Sequence, residues 1–566
     1  MSIQNLVNLT RLDLSSNNFS GNVDVIFFSN LKQLTKLDLS YNSISLTNDN
    51  NVKSTLPESL TKIYLSGCEV KELDFLRSTK NLGFLDLSYN SIEGTNPDWA
   101  WSNWMHSLYH LNLSHNMLTN IDHFPSFFQL YTLDLRSNFL QGSLPILPSF
   151  LSLFFISNNS LRGEIPSFFC NLTSLRVLDL ARNNLKGAIP QCLGNMSYEL
   201  EVLDMQHNFL SGNLQTNFSV GSGLKSFNLH GNKLEGKIPK SLANCRELEV
   251  LDLGNNHLND TFPMWLGTLP QLQVLSLRSN KLHGPIRASR MKNLFPQLQI
   301  LDISCNAFTT ELPTSLFHHL KAMMRIDQTM EPLSDDRYYE DSVTVVTKGM
   351  ELEVVRILYL YTTMDLSNNK FEGQIPSIMG DLIALRVLNL SHNGLQGHIP
   401  KLLGNLFVVE SLDLSFNQLS GEIPQQLASV TSLSFLNLSH NHLQGCIPQG
   451  PQFHTFMNNS YEDNDELRGF PVSEGCGSSR IPETNNTTRV LDEESTSEFL
   501  NDFWKAALMG YGSGLIIGLS IAYIILSARN PNWLSWIVEE LEHKITMRRR
   551  KKQRGQRHHR RRNNGV

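Results

Sequence analysis

Along most of the chain, apolar residues come in short alternating bursts: two leucines separated by one residue, an asparagine, another leucine, then glycine and Ile-Pro. The phrases LSNNKFEGQIP, LSHNGLQGHIP, LSFNQLSGEIP and LSHNHLQGCIP set Asn369, Asn393, Asn417 and Asn441 24 residues apart. The alternation predicts a short strand with one face inward. The fixed period predicts a solenoid, because one such repeat cannot bury its apolar face alone. The asparagine falls at the turn, where its side chain can hydrogen-bond backbone groups of the neighbouring coil. The register recurs upstream at Asn17, Asn42, Asn90, Asn116, Asn138, Asn159, Asn183, Asn208, Asn232, Asn256, Asn280 and Asn306, with Gly67 taken as the ladder position in IYLSGCEV. This gives 17 coils spaced by 21 to 26 residues.

The phrase is that of a leucine-rich repeat. Its Gly-x-Ile-Pro ending, as at Gly163 to Pro166, Gly187 to Pro190 and Gly236 to Pro239, resembles the plant-specific type, which adds a second strand behind the first. The expected fold is a superhelical leucine-rich-repeat solenoid with strands on its concave face, an island insertion and one C-terminal transmembrane helix.

Breaks in the register divide the chain. A first array is expected over 1–313, an island over 314–360 and a second, four-coil array over 361–448. The stride from Asn306 to Asn369 is 63 residues, about 39 more than one coil needs. Within it Val343 and Val345, then Lys348-Gly349, then Met350, Leu352 and Val354 predict a β-hairpin turning at Lys-Gly. The stretch before the hairpin is expected to be a loop, and long insertions of this kind carry function or disorder. After Pro448 the repeat stops. Phe453, Phe456, Tyr461 and Phe470 are expected to form a cap over 449–482, followed by an acidic spacer over 483–505.

Residues 506–526 carry no charge. As a helix they would reach ~32 Å, enough to cross a bilayer core of about 30 Å. Ala506, Gly510, Gly514, Gly518 and Ala522 are spaced by four, a small-residue stripe that lets a second membrane helix approach. In the tail, 527–566, Trp533, Ile537, Leu541 and Ile545 are suited to lie on the inner leaflet. Ten Lys/Arg then fall between Arg548 and Arg562. The whole chain is only −6, so everything outside that run carries a formal −16. This asymmetry predicts repeats outside the cell, a cytoplasmic tail and a basic run that anchors to anionic membrane lipid rather than nucleic acid.

Seven cysteines are too few for a disulfide scaffold. Cys68, Cys170, Cys192, Cys245 and Cys305 show no paired spacing and are expected as buried thiols, while Cys446 and Cys476 are candidates for a capping disulfide. Thirteen N-x-S/T sequons favour a glycosylated array, with Asn171, Asn195, Asn217, Asn259, Asn458 and Asn485 as candidates. Asn112, Asn389 and Asn437 follow from the repeat phrase itself. Met1 opens directly in a repeat, without a signal-peptide pattern, which predicts a chain shortened at its N-terminus.

No phosphate loop, kinase motif, nucleophile–base set or metal-ligand spacing is legible, so neither an enzyme nor a cofactor is expected, and a signal must leave through a partner. Positions between and beside the inward leucines should project from the concave face. They are Tyr109, His110, Tyr131, Arg136, Arg176, Arg182, Glu201, His207, Lys225, His230, Glu249 and Arg278, the candidate ligand contacts.

The coils, the island with four coils after it, the glycine-striped span and the short basic tail together resemble plant receptor-like proteins. FWKAALMGYGSG and RRRKKQRGQR are most similar to the tomato leaf-mould resistance members, and Tyr339 followed by Lys348-Gly349 matches a motif of that family. The resemblance implies surface perception of an apoplastic pathogen-derived protein or peptide. It also implies recruitment of a somatic-embryogenesis-type co-receptor kinase by the island and later coils, and of an adaptor receptor kinase by the glycine stripe. In many relatives the cap reads GLCG, whereas ELRG places Arg468 there, so the disulfide must differ. Three readings stand beside it: a developmental receptor of the CLAVATA type sensing an endogenous peptide, a soluble wall-enzyme inhibitor, and a nonfunctional remnant.

Overall fold

The computed structural model describes residues 3–47, 55–95, 98–121, 129–194, 196, 198–214, 217–287, 293–326, 339–355, 361–473 and 476. The chain divides into two compact units, Met1–Ser478 and Ser479–Val566. The acidic spacer, the glycine-striped segment, the basic tail, Asn195 and Asn485 lie outside the described residues. No helix among the described residues is long and apolar enough to cross a membrane.

The first unit is a stack of coils whose three-residue strands form one 17-stranded parallel sheet. Each strand pairs with the next coil in strict register: Val177, Leu178 and Asp179 lie opposite Val202, Leu203 and Asp204. The middle leucine points into the core, where it is fully buried along nearly the whole array. Behind this sheet the L-x-G segments pair into further parallel sheets, including Asn184–Gly187, Phe209–Asn213 and Lys233–Gly236. The prolines of the Ile-Pro ending then start short 3₁₀ turns on the outer face, as Pro166, Pro239 and Pro376 do with φ near −70°. Proline suits that position because its φ is fixed and it has no N–H to satisfy.

The asparagines hold consecutive coils together. Asn116 Nδ2 donates to the Leu87 carbonyl of the preceding coil at 2.9 Å and to Leu113 and Ser114 of its own coil, while its Oδ1 accepts from the Ile92 N–H at 3.0 Å. The residue before each asparagine adopts left-handed backbone, whatever its side chain: Tyr41, His115, Arg182, Phe416 and His440 all have φ between 51° and 58°. That conformation costs roughly 1–2 kcal/mol for a residue with a Cβ. It is offset because it aims the N–H at the next coil, as in His115 to Arg136 at 2.8 Å and His207 to His230 at 2.7 Å.

Two ladder assignments change. In the third coil the left-handed residue is Gly67, against Tyr41 in the coil before, so the asparagine position is Cys68. Its Sγ donates weakly to the Leu39 carbonyl at 3.4 Å, the bond that asparagine makes elsewhere. At the other end the repeat does not stop at Pro448. Asn464 continues the ladder, bonding the Leu438 carbonyl and the Leu443 N–H, and Glu466–Arg468 adds a strand to the back sheet. The cap is therefore a degenerate further coil, closed by buried Phe453, Phe456 and Tyr461.

The island boundary moves as well. Thr314–Phe317 is helical, and Leu316, Phe317, Leu320 and Met323 are buried in the common core, so the coil runs past residue 313. Ile300–Asp302 pairs directly with Thr363–Asp365, and Asn369 bonds the Ile303 carbonyl at 3.0 Å. The sheet and the ladder are unbroken across the insertion.

Cys446 and Cys476 form a disulfide, with Arg468 paired opposite Cys446. The expectation of a free thiol fails for Cys170 and Cys192, which form a second disulfide. They occupy the 3₁₀ turns of successive coils, so their spacing of 22 residues is one coil and brings their Cα atoms to 5.6 Å. Cys68 and Cys245 are buried thiols and Cys305 is half-buried.

The ladder predicts a position-dependent cost. Asn256→Ala removes bonds to Leu229, Leu253, Gly254 and Leu234 in a buried site and should lower stability by about 2–4 kcal/mol. Asn17→Ala, where the described bonds reach only Leu14 and Ser15 at an exposed end, should cost less than about 1 kcal/mol. Urea midpoints of the two variants check the contrast.

Candidate functional site

The site is built where the island meets the sheet. Ser342–Thr347 and Met350–Val355 form an antiparallel hairpin, with Val343 opposite Val354 and Val345 opposite Leu352. Lys348 and Gly349 make its turn, both left-handed at 54° and 71°. Two successive positive φ angles are those of a type I′ turn, whose twist suits a two-residue hairpin.

The hairpin lies in the trough of the concave face. Val343 and Val345 pack on Val250, Val274 and Ile300, which project outward from three successive strands. At one end the Tyr339 ring lies parallel to Phe155 and joins Val177 and Val202. At the other, the Lys348 N–H donates to Ser411 Oγ at 3.1 Å and Gly349 faces the Phe435 ring. Glu353 takes two bonds from Arg182, at 2.6 and 2.7 Å, and Glu351 lies 2.9 Å from Arg278. The cover is visible in the strands themselves. Lys36–Asp38 and His110–Asn112 keep the alternation of a half-exposed strand, whereas Val177–Asp179 through Val387–Asn389 are buried at all three positions.

Beneath the hairpin runs a row of carboxylates. The Tyr339 hydroxyl donates to Asp204 Oδ2 at 2.5 Å, Ser157 Oγ donates to Asp179 at 2.6 Å, and Ser226 donates to Asp341 of the island. Burial, then the charge of Asp204, raises the pKa of Asp179; burial chiefly raises that of Asp204, with Asp341 adding to it. Arg136, chelated by Asp134 and lying 4.6 Å above the Phe155 ring, partly offsets the rise at Asp179. Burial and then the neighbouring carboxylates lift the Tyr339 hydroxyl well above the ordinary phenol value, so it stays a donor.

The structure sorts the sequence-predicted contacts into three sets. On the open coils His110 stacks on Phe84 at 3.9 Å, and burial lowers its pKa to about 4; Tyr109 stands beside it, exposed. Along one flank Tyr131, Arg176, Glu201 and Lys225 form a chain: Arg176 Nε donates to Glu201 at 2.7 Å and Lys225 Nζ to the same carboxylate at 2.9 Å. The neighbouring polar groups of Ser152 and then Arg176 lower the Tyr131 pKa. Glu249 continues this flank, half-buried. The third set is used internally. Arg182 and Arg278 hold island glutamates, and His230 is buried against Asp252 at 3.2 Å with Asn255 on its other nitrogen. Burial opposes the His230 charge, but Asp252 outweighs it and the pKa is raised; that of His207, beside it, is lowered by burial. His230 and Arg278, expected as ligand contacts, are therefore withdrawn from solvent, Arg278 against Glu351 of the hairpin and His230 between Asp252 and Asn255 of the next coil.

Sequence reasoning missed the apolar floor, although its signal was present. The outward strand position is valine or isoleucine at Val177, Val202, Val250, Val274 and Ile300, where a solvated strand would carry polar residues. Among sequons, Asn171, Asn217, Asn259 and Asn458 are exposed, while Asn389 is buried with its amide on Asp365.

These features define a leucine-rich-repeat protein with a closed-over concave trough. Models described as leucine rich repeat match residues 7–70, 198–258 and 383–443, and 81–103, 150–172, 174–196, 297–319 and 362–382. The chain belongs to the leucine-rich-repeat family, and its relatives within it are plant receptor-like proteins. It is 54% identical over 366 residues to Receptor-like protein Cf-9 homolog of Solanum lycopersicum, covering 64% of this chain and 43% of that one. It is 44% identical over 391 residues to Receptor-like protein 35 of Arabidopsis thaliana, covering 68% and 40%. The chain thus spans about two fifths of the length of these relatives. Among solved structures it resembles the HAESA ectodomain from Arabidopsis in complex with an IDA peptide hormone (26% identity, TM-score 0.58, 84% of this chain and 76% of that one). The receptor RGFR1 in complex with RGF2 shares the fold (24%, TM-score 0.57, 82% and 80%).

The carboxylate row predicts a pH-dependent cover. Asp179 and Asp204 have raised pKa values when covered, so the covered state binds more protons than the open one. Docking is then strongest in acid and weakens as pH climbs from the ordinary carboxylate value of about 4 through the raised ones. Amide exchange at 342–347, corrected for intrinsic rates, should be slower near ~pH 5 than near ~pH 8. In the Asp179→Asn, Asp204→Asn chain that difference should shrink.

Proposed function

We propose that this chain is the sensing and anchoring part of a plant cell-surface receptor that lacks a kinase domain. It binds an apoplastic, pathogen-derived protein or peptide and signals through partner receptor kinases. The observation that carries this reading is the 54% identity, over 366 and 365 residues, to receptor-like proteins of Solanum lycopersicum and Solanum pimpinellifolium. A developmental receptor sensing an endogenous peptide is the second reading, favoured by the likeness to an ectodomain that binds a peptide hormone.

In this scheme the open coils around Tyr109 and His110 and the flank of Tyr131, Arg176, Glu201, Lys225 and Glu249 meet the ligand. The hairpin tip at Lys348 and Gly349, resting on the later coils, recruits a co-receptor kinase of the somatic-embryogenesis type. A solved relative in fold, HAESA with IDA and the co-receptor SERK1, offers a precedent for such an assembly. Residues 506–526 form the single membrane span at the plasma membrane, with the repeats outside and the basic tail on inner-leaflet lipid. Their stripe of Ala506, Gly510, Gly514, Gly518 and Ala522 pairs with an adaptor receptor kinase. The exposed sequons Asn171, Asn217, Asn259 and Asn458, and Asn195 and Asn485, carry glycans.

Expressed in leaves, the chain should give a cell-death response to apoplastic extract of a cognate pathogen, and deletion of 339–355 should abolish it. Those residues can be removed without touching the core residues Leu320 and Met323, so accumulation should be unchanged on immunoblots. A fully responsive deletion would reduce the island to a spacer. Separately, Gly514→Leu should weaken co-precipitation of the adaptor kinase; equal recovery would remove the stripe from the scheme.

A further inference from the structure

The floor beneath the hairpin does not depend on the hairpin for its existence. Strands and asparagine ladder run through it without a break, and the island enters and leaves between two directly paired strands. Yet that floor is built for contact. Val177 and Val202, then Val250, Val274 and Ile300, project outward as two apolar stretches of one strip, separated by Ser226, that a solenoid does not otherwise leave facing water. Phe155 offers a ring face at one end, and Arg182 and Arg278 offer cations along the side.

The island meets these features, but incompletely. Its two strands meet the floor unequally: Val343 and Val345 are buried and Val354 packs beside them half-buried, while Met350 and Leu352 on the same face of the hairpin are exposed. Below it, Thr363 Oγ1 and Asp302 Oδ2 are buried with no hydrogen bond among the described residues, and Arg278 Nε stands 3.8 Å from Asp302, an ion pair without a hydrogen bond. Unmet buried polar groups oppose docking. A poorly fitting segment still occupies such a surface when it is tethered beside it, because tethering raises its effective concentration to the millimolar range or so.

We propose that this strip is a peptide-binding groove, occupied here by the chain's own residues 339–347. Its external ligand is an extended acidic peptide that presents an aromatic residue followed by β-branched residues at alternate positions. The island segment shows the chemistry required. Tyr339 supplies the ring for Phe155, Val343 and Val345 supply the apolar pegs, and Glu351 and Glu353 show where carboxylates meet Arg278 and Arg182. An external ligand of this class displaces the hairpin and gains the polar partners that the hairpin leaves unmet. The inference rests on the receptor reading only for the existence of an outside ligand.

The test uses the full chain and a fluorescent synthetic peptide of sequence YEDSVTVVT, residues 339–347. Val343→Asp with Val345→Asp expels the internal segment, which amide exchange at 342–347 verifies. The peptide should bind this chain at least about tenfold more tightly than the unaltered one, since the tethered competitor is gone. A further Val250→Asp should abolish the gain. Equal affinity for both chains with the hairpin released would overturn the proposal, as would a hairpin that stays protected in the variant. Should that variant fail to fold, Glu351→Arg with Glu353→Arg releases the hairpin by repulsion from Arg278 and Arg182, leaves the groove unaltered and is read by the same two outcomes. A silent leaf response leaves this binding result intact, so the two readings fail separately.

Discussion

The whole array depends on one side chain bridging two coils. A primary amide offers two N–H donors and a carbonyl acceptor at once. The ladder asparagines after the first spend their donors on carbonyls of their own and the preceding coil and their acceptor on an N–H of the preceding coil, as Asn116 does. A coil's turn therefore has unmet backbone groups until its neighbour is in place. This makes nearest-neighbour docking obligatory, and it fixes the left-handed residue before each asparagine regardless of identity. The exception supports the rule: Cys68 keeps the position with a weaker donor, in a coil where glycine takes the left-handed place without steric cost.

A sheet locked in this way has a concave face of fixed pitch, and the chain uses part of it against itself. The outward residues of strand after strand are withdrawn by a single six-residue strand of the island, which also draws a row of aspartates out of water. The face is thereby divided. Open aromatic positions around Phe84 and His110 lie on one side, the covered trough in the middle, and the His392, Phe416 and His440 ring stack on the other side.

Much of this was legible in the sequence, for reasons that can be stated. The repeat is a strict period, and the hairpin combines alternation with a Lys-Gly turn, so both rest on local chemistry. The Cys170–Cys192 bridge was hidden because its spacing is one coil, informative only once the coils are known to stack. The fate of Arg278 was hidden because its partner Glu351 lies more than 70 positions away, and that of His230 because Asp252 and Asn255 meet it only once the coils stack. The run of outward valines was the one local clue, and reading it required asking which strands carry apolar residues on both faces.

The continuity of the ladder across the insertion has a mechanical consequence. Because Ile300–Asp302 and Thr363–Asp365 are bonded directly, the island is connected in parallel with the solenoid rather than in series with it. Tension along the array passes through the asparagines and by-passes the island, whose length and sequence can drift without changing the pitch of a single coil. The chain thus carries a part that can be rewritten while the spring that holds it stays the same.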